Sequence, residues 1–144
     1  MINENQPLQA LTVLLRASQH IQEVIRKDMM PYGLNPTEFA VLELLYHKGD
    51  QPIQVIGQKI LIASSSITYV VDKLVGKNYV TRVACAEDKR VTYASLTPEG
   101  RALIMTIFPE HKKRMEEVFE DVSLNELTHV IDSIKKIGYK AQSM

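Results

Sequence analysis

The stretch that decides the fold runs from residue 63 to residue 100 and reads ASSSITYVVDKLVGKNYVTRVACAEDKRVTYASLTPEG. Its first part places apolar residues at helical spacing behind three serines that can cap a helix, which predicts a helix over about residues 65–77. Asn78 is expected to end this helix in the left-handed conformation, because asparagine tolerates a positive φ better than most residues. The inward face of the helix is expected to comprise Ile67, Val70, Val71 and Leu74.

Two segments rich in β-branched and aromatic residues follow, at about residues 79–84 and 91–96. This composition is typical of strands, and the polar segment at residues 86–90 predicts a turn with a basic tip between them. Thr97 and Pro98 have the residue types that begin a helix. A helix followed by such a ribbon can fill a DNA major groove while an arginine at the tip reaches the narrower groove beside it. The stretch therefore predicts a winged helix-turn-helix that binds double-stranded DNA.

Helical patterns flank this stretch on both sides. Asn35, Pro36 and Glu38 have the spacing of a capping box with proline at the first helical position, so a helix should start there and stop at Gly49. The predicted order is four helices, two strands and two helices, which makes the fold mainly α with a small β-hairpin wing. The other flanking helices are expected over about residues 8–29, 53–61, 98–120 and 123–138.

The long terminal helices carry more apolar residues than one small winged domain can cover. Burial of this excess against a second copy is the natural solution, and it predicts a twofold homodimer. We therefore expect one domain over residues 1–144, with the winged helix-turn-helix at about residues 35–98. The N- and C-terminal dimerisation helices are expected at about residues 1–32 and 99–144.

Length and composition are those of one ordinary globular domain. The chain has 144 residues, of which 45% are hydrophobic and 24% charged, enough for one core and short for two. No run approaches the roughly 18 consecutive apolar residues that a membrane span needs, and the N-terminal residues lack the pattern of a secretion signal. The single cysteine, Cys85, excludes an internal disulfide and fits a reducing cytosol. A cytoplasmic location without membrane contact is therefore expected.

Charge is unevenly distributed, although 17 basic and 17 acidic residues cancel. Residues 116–132 contain six acidic side chains and no lysine or arginine, whereas residues 53–82 contain Asp72 as their only acidic side chain. The neutral total argues against indiscriminate coating of nucleic acid, while a local basic region permits specific binding. The basic side chains of that region are Lys59, Lys73, Lys77 and Arg82.

Residues 63–100 resemble the MarR family of bacterial transcription regulators. The matching motifs are DKR at residues 88–90 and LTPEG at residues 96–100, preceded by residues 67–74 in the predicted helix and 79–82 in the first strand. The flanking helices agree with the family in number, order and length, so the resemblance covers nearly the whole chain. Two positions depart from the family pattern, which commonly has glycine in place of Asn78 and often has arginine in place of Tyr69.

The resemblance implies a triangular homodimer that presents one recognition helix to each half of a pseudo-palindromic operator. Most family members repress, and many lose DNA affinity when a small phenolic or lipophilic compound, a metal or an oxidant acts on them. The predicted function is therefore a sequence-specific, DNA-binding transcriptional regulator, a repressor released by a small aromatic, phenolic or electrophilic effector. The alternative is a winged-helix module that docks protein without binding DNA. No enzyme or cofactor motif is present, so neither catalysis nor a cofactor is expected.

The candidate DNA contacts on the fourth helix lie on its outward face. Hydroxyl groups and the helix N-terminus can hold phosphates, whereas Thr68, Tyr69 and Lys73 can reach base edges or phosphates. The plain alternative is a capped helix with a solvated face. The full set on this helix is Ser64, Ser65, Ser66, Thr68, Tyr69 and Lys73.

Four further candidates lie in the wing. Arg90 is the expected minor-groove contact, with Asp88 fixing its guanidinium by a charge-assisted hydrogen bond; the plain alternative is a surface ion pair. Lys89 is expected to contact phosphate. Arg82 either holds the wing or contacts phosphate.

By analogy with the family, an effector pocket is expected where the first, second and fifth helices meet the winged part. Aromatic side chains with one or two polar groups suit a phenolic ligand, although each residue is also a plausible plain core or surface residue. The candidates are Arg16, His20, Tyr32, Phe39 and Tyr46.

Cys85 lies at the base of the wing, where a thiol beside basic residues can be alkylated by a quinone or oxidised to an intersubunit disulfide. The alternative is an incidental small residue. The four histidines are scattered and form no His-x-x-x-His pair, so no metal site is expected.

Overall fold

The computed structural model describes residues 5–60 and 67–144, which are mainly helical with a small antiparallel sheet. This agrees with the predicted fold class. In chain order the helices and strands are α1 (Gln6–Met29), a 3₁₀ turn (Met30–Tyr32), α2 (Pro36–Lys48), β1 (Gln51–Pro52), α3 (Ile53–Lys59), α4 (Ile67–Gly76), β2 (Val80–Ala84), β3 (Thr92–Leu96), α5 (Pro98–Val118) and α6 (Leu124–Gln142).

The chain divides into two compact units, Met1–His111 and Lys112–Met144. The first holds the strands, α1 to α4 and most of α5; the second holds the end of α5 and α6. This division does not test the expected assignment of residues 35–98 to the winged part and of the terminal segments to dimerisation. That assignment stays a prediction.

The sheet has three strands in the order β1-β3-β2, all antiparallel. Strands β2 and β3 form the predicted hairpin, with Val80 opposite Leu96 and Ala84 opposite Thr92. The prediction of a two-stranded ribbon was incomplete, because β1 adds a third strand on the outer side of β3. Strand β1 has only two residues, one of them proline, so it is too short to show the alternation of polar and apolar residues that identifies a strand. Proline is tolerated at a sheet edge because no backbone N–H is needed there to pair with a further strand.

The core of the first unit lies among α2, α4, β3 and the first half of α5. On α4 the four residues predicted to point inward are all buried, since none exceeds 6% exposure. These four side chains pack against residues from several other helices and strands, and this packing buries one face of the short helix. The buried partners include Met29, Phe39, Val41, Leu42, Leu45, Ile56, Val80, Ala94, Ile104 and Ile107.

The C-terminal end of α4 is capped as the sequence predicts. Asn78 has a φ of 66°, in the left-handed region. The Tyr79 N–H donates to the Leu74 carbonyl and the Asn78 N–H to the Val75 carbonyl, each at 3.0 Å. These two bonds form a Schellman motif, which satisfies carbonyls that the helix itself leaves free.

The start of α5 is fastened to this end of α4. The Thr97 hydroxyl donates to the Asn78 carbonyl at 2.7 Å and accepts from the Gly100 N–H at 3.0 Å. The Thr97 N–H donates to the Tyr79 carbonyl at 3.1 Å. A Cβ at Gly100 would lie 2.0 Å from that same carbonyl oxygen, so only glycine fits. The threonine and glycine of the LTPEG motif therefore have a structural role at the junction of α4 and α5.

Helices α1 and α6 leave much of their apolar surface exposed. Ser123 caps α6 by accepting a hydrogen bond from the Glu126 N–H at 3.1 Å, as its sequence predicts. Within residues 5–60 and 67–144, no helix is both long and apolar enough to cross a lipid bilayer. The exposed large apolar residues of the two helices are Leu8, Leu11, Val13 and Leu15 on α1, and Leu124, Val130, Ile131, Ile134, Ile137 and Tyr139 on α6.

Candidate nucleic-acid interface

The outward face of α4 carries the candidate groove contacts. Because the apolar residues of this helix are buried, its opposite face points to solvent. Thr68, Tyr69 and Lys73 are all exposed on that side, and Tyr69 is 62% exposed. Tyr69 and Lys73, four residues apart, are neighbours on the helix surface. The structure thus places a phenol beside an ammonium group on the exposed face, with the Thr68 hydroxyl exposed on the preceding residue.

Tyr69 and Lys73 interact with each other, one helical turn apart. The Lys73 ammonium nitrogen lies 5.2 Å from the centre of the Tyr69 ring, within the range of a cation–π interaction. At an exposed site such a contact contributes about 0.5–1 kcal/mol. It limits the positions that the lysine side chain samples, so the ammonium group is held near the tyrosine.

The wing tip presents a pre-oriented guanidinium. Arg90 is 90% exposed, and its Nε and one terminal nitrogen donate to the two carboxylate oxygens of Asp88 at 3.1 and 3.2 Å. The Arg90 backbone N–H also donates to Asp88, at 3.0 Å. The side-chain bonds from Arg90, followed by the backbone bond, hold the pKa of Asp88 below its ordinary value. The neighbouring Lys89 is exposed.

Arg82 has a partner on the recognition helix. Its guanidinium donates to the carboxylate of Asp72, which links β2 to α4. Of the two roles left open by the sequence, this contact matches the one in which Arg82 holds the wing. The partner lies ten residues away on a different element, so no local pattern indicates it.

The cations of the basic region at residues 53–82 make side-chain contacts within the chain. In the described part of the chain, three of the four donate to a side chain on another element. Lys59 donates to the Gln51 side chain at 2.8 Å, Lys77 donates to Glu38 at 2.6 Å, and Arg82 pairs with Asp72. The fourth cation of this region, Lys73, faces outward on α4.

Three candidates cannot be placed. Ser64, Ser65 and Ser66 lie outside the described residues, so their expected phosphate contacts stay predictions.

Cys85 is half-buried directly after β2, and its backbone N–H donates to the Val91 carbonyl at 3.0 Å. Its proposed reactivity is not tested by this position.

The five candidate effector residues are dispersed over the first unit. Arg16 and His20 are exposed on α1, whereas Phe39 is buried in the core at 4% exposure. Tyr32 and Tyr46 are half-buried. The ring of Phe39 meets His111 edge-on, with 4.6 Å between ring centres. The expected pocket stays a prediction.

An open groove between α2 and α3 is not indicated by the sequence. The residues that line it come from two separate helices, so no motif could have shown it. Within the described residues, no three His, Cys, Asp or Glu side chains cluster as metal ligands would. The groove is lined by Ala40, Glu43, Leu44, His47, Lys48, Lys59 and Ile60.

Solved structures share this fold along nearly the whole chain. The MarR-family regulator AbsC from Streptomyces coelicolor superposes with a TM-score of 0.87 at 19% identity, covering 100% of this chain and 99% of AbsC. A mutant MarR from E. coli, solved in complex with operator DNA, superposes with a TM-score of 0.83 at 17% identity, covering 95% of this chain and 99% of that one. At these identities the likeness shows the fold.

Sequence comparison goes further than the fold. The family model described as "MarR family" matches residues 34–92. The HTH-type transcriptional regulator MhqR from Bacillus subtilis (strain 168) is 48% identical over 135 residues, covering 94% of this chain and 93% of MhqR. This similarity favours DNA binding over the alternative of a protein-docking module. The chain belongs to the MarR family of DNA-binding transcriptional regulators.

Proposed function

We propose that the protein acts as a homodimeric repressor that binds a pseudo-palindromic operator and is released by a small aromatic or electrophilic effector. Helix α4 of each subunit enters the major groove of one half-site, and each wing reaches the adjacent minor groove. The observation that carries this proposal is the wing-tip arginine, 90% exposed and gripped by Asp88. A guanidinium held in this way loses little conformational freedom when it enters a groove.

The apolar surfaces of α1 and α6 support the homodimer. On α6, Ile131, Ile134 and Ile137 are each 45–51% exposed, and Leu124 is 84% exposed. Contiguous apolar surface of this kind on a soluble chain marks an interaction site, and a second copy is the partner that closed symmetry supplies. Two α4 helices on a twofold axis then match a pseudo-palindrome.

The proposed DNA contacts come from α4 and from the wing. Tyr69, Thr68 and Lys73 lie where base edges and phosphates pass in a major-groove complex, and Lys89 lies where the wing meets the backbone. Tyr69 offers both an apolar ring edge for a thymine methyl group and a hydroxyl for a hydrogen bond. The three serines before α4 complete the phosphate contacts through their hydroxyls and the helix N-terminus.

Release by an effector is proposed for a small phenolic or electrophilic compound. A phenolic ligand would act near the candidates of α1, of the 3₁₀ turn after it and of α2, where aromatic and polar side chains are available. An electrophile would act at Cys85, which lies at the base of the wing and half-exposed. Either event would change the position of the wing or of α4, and operator affinity would fall.

A gel shift with the DNA upstream of the protein's own gene tests the proposal. The wild type is expected to retard this DNA, and Arg90→Ala is expected to retard it weakly with an unchanged circular-dichroism spectrum. Equal retardation by both proteins would contradict the assigned interface. A thermal-shift screen of phenols and quinones, followed by operator release for each hit, then tests the effector class, because a ligand of the folded state raises the melting temperature with occupancy.

A further inference from the structure

Lys77 follows α4 directly, yet its ammonium group is turned into the subunit. Its Nζ donates to the Glu38 Oε2 at 2.6 Å and to the Gly33 carbonyl at 2.7 Å. The Lys77 side chain is 34% exposed and that of Glu38 only 2%. This lysine is therefore committed to an internal contact, although by sequence it belongs to the basic region of the recognition helix.

Glu38 uses both of its carboxylate oxygens, one for the cap of α2 and the other for Lys77. Oε1 accepts from the Asn35 backbone N–H at 3.0 Å, while the Asn35 side chain accepts from the Glu38 N–H at 2.8 Å. These two bonds form the capping box of α2. Oε2 is left for Lys77. A buried carboxylate that loses its cation is strongly disfavoured, so the pair acts as a directional constraint.

The constraint acts at the C-terminal end of α4, where Leu74 is buried and the Thr97 hydroxyl also donates to the Asn78 carbonyl. The buried residues of α4 fix which face points inward, but hydrophobic contact is non-directional and permits the helix to tilt or slide. The Lys77 ammonium ties the end of this helix to the first turn of α2 and to Gly33. Gly33 has a φ of 71° in the turn that follows α1, so the position of its carbonyl is set by that turn.

We infer that Lys77 is a positioning residue for DNA binding, which with Glu38 sets the angle at which α4 enters the major groove without itself contacting phosphate. The inference rests on the proposed function, in which α4 reads the groove. Two residues that do not contact DNA thus affect operator affinity through the position of α4. Glu38 is the sharper case, because a side chain that is 2% exposed cannot touch DNA.

Operator affinity measured as a function of salt tests the inference. Lys77→Met and Glu38→Gln are each expected to weaken binding by roughly five- to tenfold, within the range of coupling between residues that share one network. The slope of log K against log salt should stay as in the wild type, since no phosphate contact is lost. Lys77→Arg should restore most of the affinity, because it keeps the charge and the donors.

Lys73→Met is the matched control on the same helix. It removes an outward cation of the same size, so it is expected to weaken binding and make the salt slope shallower by about one counterion. All measurements are made at a temperature at which circular dichroism shows each variant to be folded. The double variant Glu38→Gln/Lys77→Met should bind no more weakly than either single variant, because the two residues act as one unit.

Three results would overturn the inference. Wild-type affinity in folded Lys77→Met would show that the pair does not position α4. A shallower salt slope in Lys77→Met, like that of Lys73→Met, would make Lys77 a phosphate contact. If the affinity loss disappears after correction for the fraction of folded protein, the pair stabilises the fold and does not position α4. If the wild type itself binds no operator, the proposed function fails together with this inference.

Discussion

Arg82 on the first wing strand donates a hydrogen bond to Asp72 on the recognition helix. The pair links α4 to the first strand of the wing, the two elements that the proposed interface uses. Both side chains are partly exposed, at 37% and 55%. Such a pair contributes only about 0–1 kcal/mol to stability, and its main effect is on geometry.

Removing either partner of this pair should weaken operator binding with little loss of stability. Arg82→Ala and Asp72→Ala are each expected to reduce affinity by roughly three- to tenfold, and the double variant should show no further loss because the two residues share one contact. The free energy of unfolding should change by less than about 1 kcal/mol. A double-mutant cycle on operator affinity measures this, and a strictly additive double variant would argue that Arg82 contacts phosphate independently.

Arg90→Ala should produce a larger loss of affinity, because it removes the wing contact itself. We expect roughly fivefold to 150-fold weaker binding, the equivalent of about 1–3 kcal/mol. Arg90→Lys keeps the charge but cannot form the two-pronged contact with Asp88, so it should fall between the wild type and Arg90→Ala. Fluorescence anisotropy with labelled operator gives the three affinities. Wild-type affinity for Arg90→Ala would remove the wing from the interface.

Lys73 and Tyr69 should act together. Lys73→Ala is expected to weaken binding and reduce the magnitude of the salt slope by about one. Tyr69→Phe keeps the ring that holds the ammonium group and should preserve that slope, whereas Tyr69→Ala should weaken binding and broaden the range of lysine positions. Affinities over a series of salt concentrations check this. A Lys73→Ala protein with the wild-type slope would contradict the phosphate contact.

The wing-tip contact should be insensitive to pH in the neutral range. The side-chain hydrogen bonds from Arg90 hold the pKa of Asp88 below its ordinary value. A carboxyl group with a depressed pKa contributes stability above the ordinary pKa, and that contribution is lost as the pH falls through the depressed pKa. Asp88 should therefore stay ionised from pH 6 to pH 8. NMR titration of its carboxyl carbon should show the pKa rising toward the ordinary value in Arg90→Ala, and an unchanged pKa would contradict the contact.

The apolar surface of α6 should be required for both assembly and DNA binding. Ile134→Glu is expected to produce a monomer that binds the operator poorly, because it places a charge in the proposed dimer interface. Lys135→Glu, a neighbouring exposed position on the same helix, is the matched control and should remain dimeric. Sedimentation velocity gives the mass of each protein. A dimeric Ile134→Glu protein with full affinity would place the interface elsewhere.

Features governed by local chemistry could be predicted from the sequence. The capping box at Asn35, the left-handed Asn78 and the buried face of α4 each depend on residues within one helical turn or one helical period. The contact between Asp88 and Arg90 is also local, since its partners are two positions apart in the sequence. Propensity and spacing determine such features almost independently of the rest of the chain.

Features that join distant segments could not be predicted in the same way. The Lys77–Glu38 pair spans 39 residues, and strand β1 forms only because β3 offers it a partner. The charge pattern of residues 53–82 likewise does not show that Lys77 pairs with Glu38 and Arg82 with Asp72. Tertiary contacts, which sequence spacing does not show, decide which cations face outward.

In the proposed complex, two copies of α4 lie about one duplex turn apart and bind one face of the operator. Hydroxyl-radical footprinting of the wild-type protein on its operator measures this directly. Two protected regions related by a pseudo-twofold axis are expected, with centres about 10 base pairs apart, and with weaker protection beside each of them in Arg90→Ala. A single protected region, or two at a spacing that places them on opposite faces of the duplex, would contradict it.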